Sequence, residues 1–351
     1  MSSKILLGLL CSLPLMSCDS TPPEQNTINQ DIQQIVQKEL EDAVTEYHAN
    51  GATGIIMNAE TGEIISMVSV GLAEPMRNIY EMGSQFKVFT TALAYENELS
   101  DKQYNVDRPY VIRDKNGKEI LSISDMASHK KRWEKQGITK MSADEIFSNS
   151  CNVGTVQIAL DLPDGAQREF FHRLKLDQKL KLDTGNTEIT LFPEKMGTVE
   201  QATASFGYGL AITPMHMIAS LNAVITGVYV LPKFNKSTEV KSERIVSEDI
   251  SKHIREILHQ RAESLLSPSS GLKDIGLSSS TGGKTQLTYM QSKGVITSAF
   301  TVFPIDAPKY SMFILIDDPK ETEKTGGKTA GWNAIPTTGK ILKQVEPMLI
   351  K

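Results

Sequence analysis

Hydrophobic positions recur along this chain with two different periods, and the places where the period changes mark its elements. From Ile28 onward, Ile32, Ile35, Val36, Leu40, Ala43, Val44 and Tyr47 return at helical spacing, and Asn50-Gly51 supplies a stop. Gly54 to Asn58 and Glu63 to Val70 are rich in Ile, Met and Val and flank Ala59-Glu60-Thr61-Gly62, which is the pattern of a hairpin. Toward the other end, Thr297 to Phe303 and Tyr310 to Ile316 form a second pair of apolar runs around Pro304-Ile305-Asp306-Ala307-Pro308, and a helix is predicted from Pro336 onward. The long stretch between is mostly helical in pattern. Strand pairs from opposite chain ends are therefore expected to share one antiparallel sheet, flanked by helices around an inserted, mainly helical subdomain, an α+β architecture. No internal repeat interrupts this plan.

The first eighteen residues differ from the rest. Lys4 precedes an apolar run from Ile5 to Met16 that is short for a bilayer span, which is the pattern of an export signal. Its end, Leu15-Met16-Ser17-Cys18, resembles the lipobox of bacterial lipoproteins, in which the cysteine is lipidated after cleavage, and Asp19 resembles an inner-membrane retention signal. An uncleaved anchor and ordinary cleavage near Ser17 are the alternatives. Residues 19–25, with Pro22-Pro23, read as a tether, and residues 26–351 as one exported domain at the periplasmic face of the inner membrane.

Composition narrows the chemistry. With 40% hydrophobic and 23% charged residues the 351-residue chain sits near globular averages, so most of it should fold. Thirty-seven Lys+Arg against 42 Asp+Glu leave a net charge of -5, which nominates no nucleic-acid partner. Cys11, Cys18 and Cys151 cannot build a disulfide framework, and six scattered histidines lack metal-ligand spacing, so no metal or organic cofactor is expected.

Three short motifs could carry chemistry. Gly83 precedes Ser84-Gln85-Phe86-Lys87, and good helix formers follow, placing Ser84 at a helix N-terminus with Lys87 one turn away. A serine hydroxyl becomes a nucleophile when a neighbouring base takes its proton, and a lysine kept neutral by burial is such a base. Taken alone, the motif equally fits a capped helix with a solvated lysine. Ser150-Cys151-Asn152 follows a helix opened by Ser142 and Glu145 in capping-box spacing, and a hydroxyl and an amide two residues apart at a bend can both face one cleft. A polar interhelical turn is the plain alternative, and Cys151 between them reads as a small buried residue. Gly282-Gly283-Lys284-Thr285 comes after a Ser/Gly-rich loop and is expected to start a strand at the cleft edge, with Lys284 as a second cation. Ser205-Phe206-Gly207-Tyr208-Gly209 lacks the ending of a phosphate loop and reads as a close-packed turn before a helix from Met215.

Taken in order, Tyr80 to Lys87, Ser150 to Gly154, Ser205 to Gly209 and Gly283-Lys284-Thr285 resemble the transpeptidase domain of class B penicillin-binding proteins. Thr329-Ala330-Gly331-Trp332-Asn333-Ala334-Ile335-Pro336 is similar to the septal, cell-division peptidoglycan transpeptidases of alphaproteobacteria within that family. The resemblance implies a serine D,D-transpeptidase that cross-links peptidoglycan stem peptides and is inhibited by β-lactams. It implies Ser84 as the acylated nucleophile, Lys87 as general base, Ser150 as proton relay and Asn152 as a contact to the peptide amide. Lys284 would act electrostatically, Thr285 would hold the donor's terminal carboxylate, and the backbone N–H groups of Ser84 and Leu287 would form the oxyanion hole. Lys324-Thr325-Gly326 falls where the family has a loop and is taken as a decoy.

The departures carry information too. Gln286-Leu287 stand where the family has Gly-Thr, so a side chain faces the cleft and a carboxylate-holding hydroxyl is missing. That substitution supports an alternative, a divergent non-catalytic paralogue that binds wall peptides or division partners. No pedestal domain is expected ahead of Asn26, so contacts with a divisome or glycan-polymerase partner do not carry over directly.

Overall fold

The computed structural model describes residues 25–266, 272–283, 294–323 and 326–350. Five strands, β1 (Gly51–Asn58), β2 (Ile64–Val70), β3 (Gly276–Gly283), β4 (Val295–Phe303) and β5 (Tyr310–Asp317), form one sheet in the order β3-β4-β5-β1-β2. All neighbours are antiparallel, and the two ends of the chain meet where β1 pairs with β5, from Gly51 opposite Asp317 to Asn58 opposite Tyr310. Both expected hairpins are present in the shared sheet.

The central strands read as continuous apolar runs because both faces of the sheet are covered. Successive residues point to opposite sides. On the outer face Ile56, Met312, Ile314 and Ile316 pack with α1 (Gln30–Glu46) and the C-terminal helix, through Ile32, Val36 and Leu40 on one and Ile341, Leu342 and Val345 on the other. Asn29 caps α1 by accepting a bond from the Ile32 N–H at 3.1 Å. A Cβ at Gly54 would lie 3.0 Å from Ile314 and 3.1 Å from Val36, so glycine there sets how closely α1 approaches β1. The helix ends at Glu46, and Gly51, read from sequence as a stop, is the first residue of β1.

On the inner face Ile55, Met57, Phe313 and Leu315 meet the helical insertion. It comprises α2 (Lys87–Glu96), α3 (Ala127–Gln136), α4 (Ala143–Ser148), α5 (Asn152–Asp161), α6 (Ala166–Arg173), α7 (Thr198–Ala204), α8 (Pro214–Thr226) and α9 (Glu248–Leu265), with α10 (Ala334–Leu349) following the sheet. Capped by Thr213 and opened by Pro214, α8 is buried almost throughout and forms the insertion's apolar axis. Phe86, Phe89 and Phe171 meet edge to face, with centroids 5.1 to 6.3 Å apart, and lock the start of α2 against α6.

One expectation is corrected. The Ser/Gly-rich stretch before Gly282 is not a loop leading into a strand; it is the strand, running from Gly276 to Gly283. Ser278 serves the interior: its Oγ donates to Gln85 Oε1 at 2.5 Å, and Gln85 Nε2 donates to Ser298 Oγ on β4 at 3.1 Å. Small hydroxyls replace apolar side chains here because β3 packs on the turn that carries Ser84, and the buried Gln85 amide must be satisfied. Among the described residues no helix is long and apolar enough to cross a membrane. The export signal with Cys18, the tether up to Glu24, and the decoy's Lys324-Thr325 lie outside the described residues.

Candidate active site

Ser84 sits in a 3₁₀ turn, Gly83–Phe86, that runs directly into α2 at Lys87. The turn is clamped from below. Gly83 N–H donates to Gly207 O at 3.2 Å, and Gly207, at φ +82°, lies so close that a Cβ would be 2.2 Å from Gly83 O. Gly209 N–H donates to Glu81 Oε1 at 2.8 Å, and Thr90 Oγ1 to Ser205 O at 2.7 Å. The glycine-rich segment is the close-packed turn its sequence suggested, and its work is to hold the Ser84 turn in place.

Lys87 is only 2% exposed. Its Nζ donates to Ser150 O at 2.6 Å, Ser150 Oγ at 3.0 Å and Asn152 Oδ1 at 2.7 Å, so all three ammonium donors are met. Ser150 Oγ lies 3.3 Å from Ser84 Oγ, closing a chain from Ser84 through Ser150 to Lys87. Burial pushes the Lys87 pKa down to about 8, opposed by the negative charge of Asp125 and helped by the positive charge of Arg261. A lysine near neutrality, linked to a serine hydroxyl by a second hydroxyl, can move a proton off Ser84.

The Ser150 turn is held in a left-handed conformation, φ +52°, between α4 and α5. Upstream, Ser142 and Glu145 make the expected capping box. Downstream, Asp125 receives the N–H groups of Asn152 and Val153, the latter at 3.4 Å, and lies 3.3 Å from Cys151 Sγ, so one carboxylate fastens the start of α5. Cys151 is fully buried and burial pushes its pKa up, which removes it as a thiolate nucleophile.

Ser84, Ser150 and Asn152 open onto one cleft of about 440 Å³. Its walls include Tyr208, Arg261 and Thr329, none of which was singled out from sequence as a site residue. Tyr208 and Thr329 fall inside stretches already conspicuous by motif. Arg261 carries no local signal; on α9 it looks like one more charge on an amphipathic helix, as Asp125 looks like an ordinary loop acid. In the fold Arg261 Nη1 donates to Phe147 O at 3.1 Å and Ser148 O at 2.6 Å, and the guanidinium stacks 5.2 Å from the Phe147 ring. Burial lowers its pKa to about 10, so it stays cationic.

Ser279 and Thr281 of β3 line the same cleft, and β3 ends at Gly283, one residue before Lys284. Lys284, Thr285, Gln286 and Leu287 themselves lie outside the described residues. Among the described residues no cluster of His, Cys, Asp and Glu could hold a metal ion.

Comparison with known proteins places these features in company. A family model described as the penicillin binding protein transpeptidase domain matches residues 51–336. Stage V sporulation protein D of Bacillus subtilis is 27% identical over an alignment that covers 96% of this chain and 56% of that protein. The probable peptidoglycan D,D-transpeptidase FtsI of Caulobacter vibrioides is 27% identical, covering 93% of this chain and 59% of that protein. The chain thus spans well under two thirds of the length of either relative. The transpeptidase domain of Burkholderia pseudomallei penicillin-binding protein 3 superposes with a TM-score of 0.77 at 21% identity, over 93% of this chain and 97% of that one.

Proposed function

Since this chain belongs to the penicillin-binding protein transpeptidase family, we propose that it is a serine D,D-transpeptidase that cross-links peptidoglycan stem peptides in septal or cell-division wall synthesis. The observation that carries this reading is the hydrogen-bonded chain from Ser84 through Ser150 to the buried Lys87. Ser84 Oγ attacks the carbonyl of the D-Ala-D-Ala bond while its proton passes by way of Ser150 to Lys87. The C–N bond breaks, the proton goes to the leaving D-Ala amine, and an acyl-Ser84 ester remains. An amine from a neighbouring strand then attacks the ester, and its proton returns by the same route to Ser84. Asn152 contacts the peptide amide, Lys284 steadies developing negative charge, and Thr285 meets the donor's terminal carboxylate.

Lys87 must lose a proton before it can accept one. With its pKa near 8, a minor fraction is ready at pH 7, and acylation rises with pH through that value. β-Lactams are expected to acylate the same serine. The test is intact-protein mass spectrometry after incubation with excess benzylpenicillin: one adduct mapping to Ser84, absent in Ser84→Ala, supports the reading. No adduct, under conditions that label an ordinary class B protein, would leave the non-catalytic alternative favoured by Gln286-Leu287.

The N-terminal pattern supports export and anchoring at the outer face of the inner membrane through a lipidated Cys18, where a divisome or glycan-polymerase partner could meet the domain. Cys18→Ala should then release the chain from the membrane fraction or stall its processing. An intact, unmodified N-terminus in the cytoplasm would refute export.

A further inference from the structure

Among the described residues lining the cleft, Arg261 carries the one permanent positive charge. Lys87 is committed to Ser150 and Asn152 at the base, and burial keeps His129, also on the wall, below its usual pKa. The cleft's carboxylate, Asp125, is engaged by the start of α5 and makes no ion pair with Arg261. Arg261 therefore presents a charge that no side chain among the described residues neutralises.

Its geometry suits it to a ligand. Nη1 is held by two backbone carbonyls at the C-terminal end of α4, and the plane rests on Phe147, so the guanidinium is fixed before anything binds. Nη2 takes no hydrogen bond among the described residues, and the residue remains partly exposed at the cleft. A fixed cation with an unused donor, lining the same cleft as Ser84, is a receptor for an anion. The substrate under the proposed reading ends in a carboxylate, and Leu287 lacks the hydroxyl that the family resemblance leads one to expect for it.

We propose that Arg261 is a specificity-determining residue that binds the terminal carboxylate of the donor peptide. This rests on the D,D-transpeptidase reading for the identity of the ligand, but its test does not need turnover. Placed on α9 against the end of α4, Arg261 lines the cleft that Ser84 also lines, and it supplies a charge for the carboxylate in a sequence where Leu287 stands in place of the hydroxyl residue the resemblance leads one to expect. The competing role is a brace, in which Arg261 does no more than cap α4 behind Ser150 and does not distinguish one ligand from another.

The two roles separate in a binding experiment on the Ser84→Ala protein, using diacetyl-Lys-D-Ala-D-Ala and its C-terminal amide as calorimetric probes. A charge-assisted hydrogen bond of this kind corresponds to roughly 10- to 100-fold in affinity. The acid should bind the parent tighter than the amide by about that factor. Arg261→Gln should abolish the preference by weakening the acid alone, and Arg261→Lys should restore part of it. Equal weakening of both probes by Arg261→Gln would make Arg261 a brace and overturn the proposal. An acid-over-amide preference that survives the substitution, or that is missing from the parent, overturns it as well. Because Ser84 is absent throughout, failure here is distinct from failure of wild-type acylation by penicillin, which bears on the transpeptidase reading itself.

Discussion

The two faces of the sheet are built from the same strands and do opposite jobs. On the outer face α1 and α10 meet β1, β4 and β5 through Leu40, Ile314, Ile341 and their neighbours in one apolar cluster. On the inner face the same sheet supports a turn and a helix that bury a lysine and a glutamine, and each of these needs partners from far along the chain. Burying apolar area stabilises the fold. Burying Lys87 costs stability, because the charged form is desolvated, and that cost is what lowers its pKa toward a useful value. One side of the sheet holds the molecule together so that the other can hold a cation in an unfavourable place.

Two substitutions break the comparison cleanly. Lys87→Met keeps much of the side chain's length and removes its charge. It should abolish acylation by penicillin, yet at pH 7 it should leave the melting temperature unchanged or raise it. The sign follows from linkage: the folded-state pKa lies below the unfolded value, so the penalty on folding is complete below about pH 8 and relieved as pH rises through the window above it. Leu40→Ala should do the reverse, costing about 2–5 kcal/mol of stability by leaving a cavity. At a temperature where the protein remains folded its acylation rate should match wild type. Calorimetric melting with acylation kinetics checks both, and a Lys87→Met protein that still acylates would remove Lys87 from the chemistry.

A smaller change tests the proposed site alone. Under the proposed reading Gln286 crowds the path of the donor backbone, and misplacing the scissile carbonyl by about an ångström can cost roughly a hundredfold in rate. Gln286→Gly with Leu287→Thr should therefore accelerate acylation by up to that factor. A double variant no faster than wild type, followed by stopped-flow, would mean that the cleft already accommodates Gln286.

The outer face was the easier one to read from sequence. Apolar period marked α1 and the apolar runs marked both hairpins, because most of the side chains those elements bury are apolar and the buried hydroxyls among them, such as Thr53 and Ser311, interrupt the runs only singly. From sequence the serine-rich part of β3 reads as a loop because its inward positions are serines, and what makes Ser278 a core residue is Gln85, far away in the chain. The same division runs through the site. Ser84 with Lys87 and Ser150 with Asn152 were legible as spacings, since each pair sits within one turn of chain. Asp125 and Arg261 were not, because their relation to Ser150 exists only once α3 to α5 and α9 have packed. Gly51 shows the limit at small scale: as a local signal it ends a helix, and in the fold it begins a strand.

The most direct test of the proton path from Ser84 to Lys87 is the pH dependence of acylation. Second-order rate constants for benzylpenicillin, measured from pH 6 to 10 on wild type and Ser150→Ala, should climb with rising pH about a midpoint near 8 in wild type. In Ser150→Ala the plateau should fall steeply, because the link between the two groups is gone. A wild-type rate that is flat across this range, or that declines as Lys87 loses its proton, would contradict Lys87 as the base.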